Sequence, residues 1–262
     1  MVKLLILFLC PALLTSISAE PIAVRYSEGL VHGFLTLRTL DGQILADGDL
    51  SQVARGDRVT SKLIFRFRDG SYHEESVVFT QTRTFRLVTD HLVQKGPSFP
   101  HQVDMLIDQS KQHVTVRYID DDGKAKVADE NMKLPADLAN GLMSILMKNY
   151  PPNGPSVTLS MVAATPKPRL VKLVVTPNGE ESFTNGKSSH KATHFKVKVE
   201  IGGIAGVIAP WVGKQPPDSH MWILGGDTPA FLKSESQLYV DGPTWRIELT
   251  SPAWPPPASP VR

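Results

Sequence analysis

The sequence predicts a mainly β protein: a curved antiparallel sheet or half-open barrel built from consecutive hairpins, with one mid-chain α-helix packed on it. Three observations carry that prediction. Short runs alternate apolar and polar residues with the two-residue period of strands that bury one face. Asp41-Gly42, Asp69-Gly70, Asp122-Gly123 and Asn178-Gly179 sit between such runs and supply the positive φ angles that tight hairpin turns require. A 3.6-residue period stands out only over residues 135–149.

Taken from the start, residues 1–19 have the layout of a cleavable secretory signal: Lys3, an apolar stretch over residues 4–14, and Ser18-Ala19 before Glu20-Pro21. The stretch is about half of the ~20 residues a membrane span needs, and Pro11 interrupts it. Residues 20–251 are then one β-rich domain and residues 252–262 a proline-rich disordered tail. The expected location is outside the cytoplasm, periplasmic or extracellular, soluble after cleavage. The single cysteine, Cys10, leaves with the leader, so the mature chain has no disulfide, thiolate nucleophile or Cys-ligated zinc. Leu9 is too large for the lipid-attachment pattern at Cys10. Lys and Arg number 28 against 26 Asp and Glu, and a net charge of +2 excludes a field strong enough to argue for nucleic acid.

Strands are expected over residues 33–40, 61–68, 72–80, 84–94, 103–108, 113–119, 156–162, 169–176, 193–201, 220–224 and 245–250. In the second of these Leu63, Phe65 and Phe67 face one way while Lys62, Arg66 and Arg68 face the other. Phe195, Val197 and Val199 oppose His194, Lys196 and Lys198 in the same manner. The basic outer residues lie opposite the aromatic ones, which is the wrong arrangement for stacking single-stranded nucleic acid. In the helix Leu138, Leu142, Ile145 and Leu146 form one stripe; Pro135 suits its first turn, Asp137 its dipole, and Pro151-Pro152 its end.

The mid-chain segment Leu134-Pro-Ala-Asp-Leu-Ala-Asn-Gly-Leu142, the strand His194-Phe-Lys-Val-Lys-Val-Glu200, the segment Met221-Trp-Ile-Leu-Gly-Gly-Asp-Thr-Pro229 and the final Trp245-Arg-Ile-Glu-Leu249 follow one another in a recognisable order. That order resembles uncharacterised secreted bacterial families of domain-of-unknown-function type, whose fold is similar to the curved half-barrel of the lipoprotein carriers LolA and LolB. The resemblance implies an open, bent sheet. It carries over no functional residue.

Candidate binding residues follow from that shape. Phe65, Phe67, Leu138 and Leu142 are the expected lining of the concave face. The uncharged run Ile201-Gly-Gly-Ile-Ala-Gly-Val-Ile-Ala-Pro-Trp-Val212 is too short to span a bilayer and too rich in glycine for a strand or helix. It is either core over the open end of the sheet or a flap, with Ile204, Val207 and Trp211 gating a hydrophobic cavity or making transient membrane contact. The loop carrying Lys95, Ser98 and His101 is the other place where polar chemistry concentrates. It reads either as a site at the mouth of the sheet or as a rigid crossover with Phe99 plugged into the core.

Metal and catalytic motifs are weak. His190 and His194 stand ~13 Å apart along a strand, too far for one metal. His73-Glu74-Glu75 lacks the second histidine of a zincin, and Asp120-Asp121-Asp122-Gly123 reads as a turn, not a calcium loop. Ser188 and Lys191 have a serine acyl enzyme's spacing but lie in a loop leading to a strand, and no nucleophile elbow, phosphate loop or dinucleotide fingerprint occurs. No metal, cofactor or catalytic residue is therefore assigned. The expectation is an exported binder or carrier of a lipid-like or other hydrophobic ligand. Two alternatives stay open: an envelope interaction module with a filled core and unnamed protein partners, and a hydrolase of unknown type.

Overall fold

Alternation becomes strand wherever the sequence predicts it, in a computed structural model that describes residues 21–120, 122–185, 188–200 and 216–250. The leader 1–19, the tail 252–262 and the run 201–212, with Ile204, Val207 and Trp211, lie outside the described residues. Among the described residues fourteen strands form one antiparallel sheet accompanied by one α-helix. From β1 (Val31–Thr39) the meander runs outward through β2 (Ile44–Arg55), β3 (Arg58–Phe67), β4 (Tyr72–Gln81), β5 (Phe85–Lys95), β6 (Val103–Asp108) and β7 (His113–Ile119). It reaches one edge at β8 (Ala125–Asn131). The chain then crosses through residues 132–142 and α1 (Met143–Asn149) to the opposite edge, β9 (Val157–Ala163). It returns by β10 (Arg169–Asn185), β11 (Ser188–Glu200), β12 (Ser219–Leu224), β13 (Ala230–Gln237) and β14 (Thr244–Leu249), which pairs with β1.

The sheet is open between β8 and β9, and the crossing segment ties the two sides together. Met132 N donates to Gln112 O and Leu134 N to Gln112 Oε1 at 2.7 Å, on the β7 side. Ala139 N donates to Ser160 O at 2.8 Å, and Asn140 exchanges two hydrogen bonds with the Val162 backbone, on the β9 side. These bonds satisfy backbone groups that a non-helical buried segment would otherwise leave orphaned.

The helix is shorter than its apolar period suggests. Gly141, at φ +61°, interrupts the run, and residues 134–142 are an irregular lead-in. Asp137 accepts a hydrogen bond from Ser160 Oγ at 3.0 Å and so serves the β9 junction, not the helix dipole. The stripe itself holds: Leu138, Leu142, Ile145 and Leu146 are all buried. Tyr150, extended before Pro151, ends the helix as a residue preceding proline does.

Gly42, Gly70 and Gly123 adopt the positive φ of hairpin turns. Asn178-Gly179 is a correction, because it lies inside β10 as a bulge where the register with β11 shifts between Pro177 and Glu180.

Inward residues gather in two clusters. The larger joins both halves of the sheet to the crossing segment, with Val77, Phe79, Ile107 and Val114 on one side and Leu159, Leu173, Val175 and Phe195 on the other. The smaller holds Leu35, Leu37, Phe65, Phe67, Phe99 and Trp245 around the β1–β14 seam. An N-terminal strap over residues 22–28 is laced into the interior. Asn149 Oδ1 accepts from Arg25 N and Tyr26 N, Gln81 exchanges two bonds with the Glu28 backbone, and Lys148 Nζ lies 2.5 Å from Glu28 Oε1.

Candidate functional site

Strands β4 and β5 place polar side chains on the face that should be apolar. On β4 the inward phase reads His73, Glu75, Val77, Phe79, and the register sets Gln94 opposite His73, Leu92 opposite Glu75 and Asp90 opposite Val77. Glu75 and Asp90 are therefore diagonal neighbours on one face, at a spacing of about 7–8 Å between Cα atoms. Gln94 Nε2 donates to His73 Nδ1 at 3.1 Å and to Leu238 O at 2.7 Å, so this end of the row is satisfied. Burial pulls the His73 imidazole down to about 4 and keeps it neutral.

The acids are not satisfied. Asp90 has no exposed surface, and both carboxyl oxygens are buried without a hydrogen-bond partner. Burial, together with the neighbouring Glu75 charge, raises its pKa well above the carboxylate range, so it holds its proton. Burial pushes Glu75 up to about 7. Glu75 is half-buried and, among the described residues, makes no hydrogen bond or ion pair. The lead-in backbone passes directly over it: a side chain at Gly141 would collide with Val77 and lie 3.3 Å from Glu75 Oε1.

Around Glu75 runs a belt of apolar side chains that point inward yet keep accessible surface. Leu50 and Leu63 continue its cross-strand row on β2 and β3. Ile247 on β14, Met221 on β12 and Phe231 on β13 are half-buried on the far side, and Phe231 packs against both clusters. Met143 of α1 is likewise only partly buried. The two clusters remain distinct, and the partly accessible apolar side chains between them stand beside an unpaired acid.

The outer face carries a separate cluster. The His194 ring stacks on Trp222 with centroids 4.5 Å apart, shares a 2.8 Å hydrogen bond with His220, and lies 3.3 Å from Glu181. Lys233 Nζ sits 4.0 Å from the Trp222 ring centroid. His194 is therefore buried on the face expected to be solvated, and burial lowers its pKa. Among the described residues no group of three His, Cys, Asp or Glu side chains could hold a metal ion.

The sequence-predicted residues fall in three places. Phe65 and Phe67 belong to the seam cluster, where Phe67 packs on Phe99 and Trp245. Leu138 and Leu142 are buried in the larger cluster, at the crossing segment. The loop after β5 is anchored by Phe99, 2% exposed, against Phe67, His73 and Tyr239. In it Ser98 Oγ donates to Asp69 Oδ2 at 2.7 Å, the Lys95 ammonium lies 5.4 Å from the Tyr72 ring centroid, and His101 is exposed. The structure brings Lys95, Ser98 and His101 into no mutual contact. Ile204, Val207 and Trp211 are outside the described residues. Sequence reasoning missed Glu75 and Asp90, although a signal existed: each shares the phase of apolar neighbours, Glu75 with Val77 and Phe79, Asp90 with Leu92.

No protein-family model matches the sequence, and no curated protein matches it. Among solved structures the chain is similar to the crystal structure of a β-barrel-like protein of domain of unknown function DUF1849 from Brucella abortus. The two share 10% sequence identity at a TM-score of 0.47, over 86% of this chain and 98% of that one. It is a likeness of β-rich fold to a protein whose own function is unknown.

Proposed function

We propose that the protein is an exported, non-enzymatic binder that holds a hydrophobic molecule inside its sheet, on the belt between the two interior clusters. One observation carries this reading: Leu50, Leu63, Met221, Phe231 and Ile247 face inward and remain partly accessible, although burying them fully would stabilise the fold. A transported or sequestered chain would close that surface. The mechanism is passive, with binding driven by removal of apolar surface from water. The secretory-signal pattern of residues 1–19, and the resemblance of the segment order to secreted families whose fold is similar to the LolA and LolB half-barrel, support the same reading.

The test is extraction of the purified, exported protein with organic solvent, followed by mass spectrometry of the extract and of the native protein. Co-purified small hydrophobic molecules in stoichiometric amount are expected, with a mature chain beginning near Glu20. A protein that is empty in both measurements and gains no thermal stability from any apolar ligand leaves the interaction module with a filled core.

A further inference from the structure

The acids in the belt identify the class of occupant. We propose that Glu75 and Asp90 receive the ammonium group of a cationic amphiphile whose apolar chain lies along Leu50, Leu63, Phe231 and Ile247. This rests on the reading that the belt is a ligand site, and it adds what the ligand must carry. Asp90 is wholly buried with neither oxygen bonded, and Glu75, next to it, lacks a partner among the described residues. Buried polar groups are as a rule paired, and among the described residues this interior pairs the other two buried acids: Glu28 with Lys148 and Gln52, Asp137 with Ser160.

Among the described residues no cation supplies the missing charge. Inward residues of the flanking strands are Ser61 and Leu63 on β3 and Met105 and Ile107 on β6. On the same two strands His73 is neutral and Gln94 is committed to it. Gly141 of the crossing segment lies over Glu75 and brings no charge, and Lys148 of α1 is already bound to Glu28. An acid pair without a cation, set in an apolar surface, complements an amine once it gives up a proton and offers a fatty-acid carboxylate no counter-charge.

Proton balance makes the proposal specific. Burial keeps the acid pair protonated, so an incoming ammonium is matched by loss of a proton from the pair to solvent, and the ligand keeps its own charge.

Isothermal titration of the full mature protein with octylammonium, 1-octanol and octanoate separates the possibilities. At about pH 6.5, below the point where Glu75 ionises by itself, octylammonium should bind about tenfold more tightly than octanol and release about one proton, read from the difference between phosphate and Tris buffers. Asp90→Asn keeps the shape of the protonated acid, and Glu75→Gln does the same at the second position. Either should abolish the proton release and bring the amine to within about threefold of the alcohol, while the alcohol's own affinity is retained. If amine, alcohol and acid bind alike to the native protein, or if the variants leave the amine's advantage intact, the ammonium site is wrong and the hydrophobic site stands. If none of the three binds, the hydrophobic site falls as well.

Discussion

Glu28 and Asp90 are both buried carboxyl groups of the same interior, and the protein treats them in opposite ways. Glu28 is held by Lys148 at 2.5 Å and by Gln52 at 2.8 Å, while its backbone is bonded through Gln81. Four segments, the strap, β2, β4 and α1, meet on it. Asp90 is as deeply buried and touches no donor. The contrast teaches that this fold can satisfy an interior acid when the acid is structural. Asp90, on the β5 strand that pairs with β4, departs from that pattern, and departures of this kind from the local rules of burial are a mark of functional sites.

The largest expected effect breaks the satisfied member. Lys148→Met leaves Glu28 buried without its cation, and destabilisation of about 3–5 kcal/mol in urea unfolding is expected. Lys148→Met combined with Glu28→Gln should recover part of that loss, because the remaining buried charge is gone. A single variant within about 1 kcal/mol of the native protein would place the pair among solvent-screened surface bridges and remove the contrast.

The unsatisfied member sets a pH dependence of opposite origin. In the folded protein Glu75 titrates at about 7, above its ordinary value of 4.5, so between these values the folded state keeps a proton that the unfolded chain has released. The Glu75 contribution is then full below about pH 4.5 and is lost as pH rises toward 7, by at most about 1.4 kcal/mol per pH unit, while His73, held neutral down to about 4, contributes in the opposite sense over the lower part of that window. Chemical denaturation across pH 4.5 to 7.5 should show the native protein losing stability relative to Glu75→Gln as pH rises, since His73 and Asp90 are common to both proteins. A native protein that gains on Glu75→Gln through the same window would mean that Glu75 is stabilised as the anion.

How much of this was legible in the sequence depended on whether a residue's neighbour lay near it in the chain. β3 was readable because Phe65 and Phe67 alternate with Arg66. β2 was not, because Asp47-Gly48-Asp49 looks like a turn; Gly48 lies mid-strand because the Phe65 ring occupies the place of its side chain. β8 was hidden for another reason: as an edge strand with nearly every residue exposed, it has no alternation to show. In β13 a bulge opposite Trp222 and Ile223 breaks the two-residue period. The acid pair escaped because Glu75 and Asp90 are neighbours only through the β4–β5 register, and each alone reads as an ordinary surface carboxylate.

Gly141 sharpens the comparison between the crossing segment and the belt beneath it. Its φ of +61° disfavours any side chain, and a methyl group there would be driven into Val77 and toward Glu75. Gly141→Ala should cost about 1–3 kcal/mol in thermal or urea unfolding. The same variant should also weaken octanol binding, since the lead-in must lift away from β4. A variant with native stability would show that the lead-in packs less closely on the acid than the structure has it.

The smallest effect is expected at the loop after β5, where the contrast is between an anchor and its trimmings. Phe99 carries the packing, in contact with Phe67, His73, Tyr239 and Trp245. Ser98 adds an exposed hydrogen bond to Asp69, which also lowers the Asp69 pKa. Exposed bonds of this kind exchange one solvated partner for another, so Ser98→Ala should change stability by about 0.5–1 kcal/mol and leave ligand affinity untouched. Phe99→Ala should cost about 3–5 kcal/mol at the same loop. Equal and large losses from the two variants would mean that the polar residues of this loop are a working site, and the belt beside Glu75 would lose its claim to be the place where this protein meets its ligand.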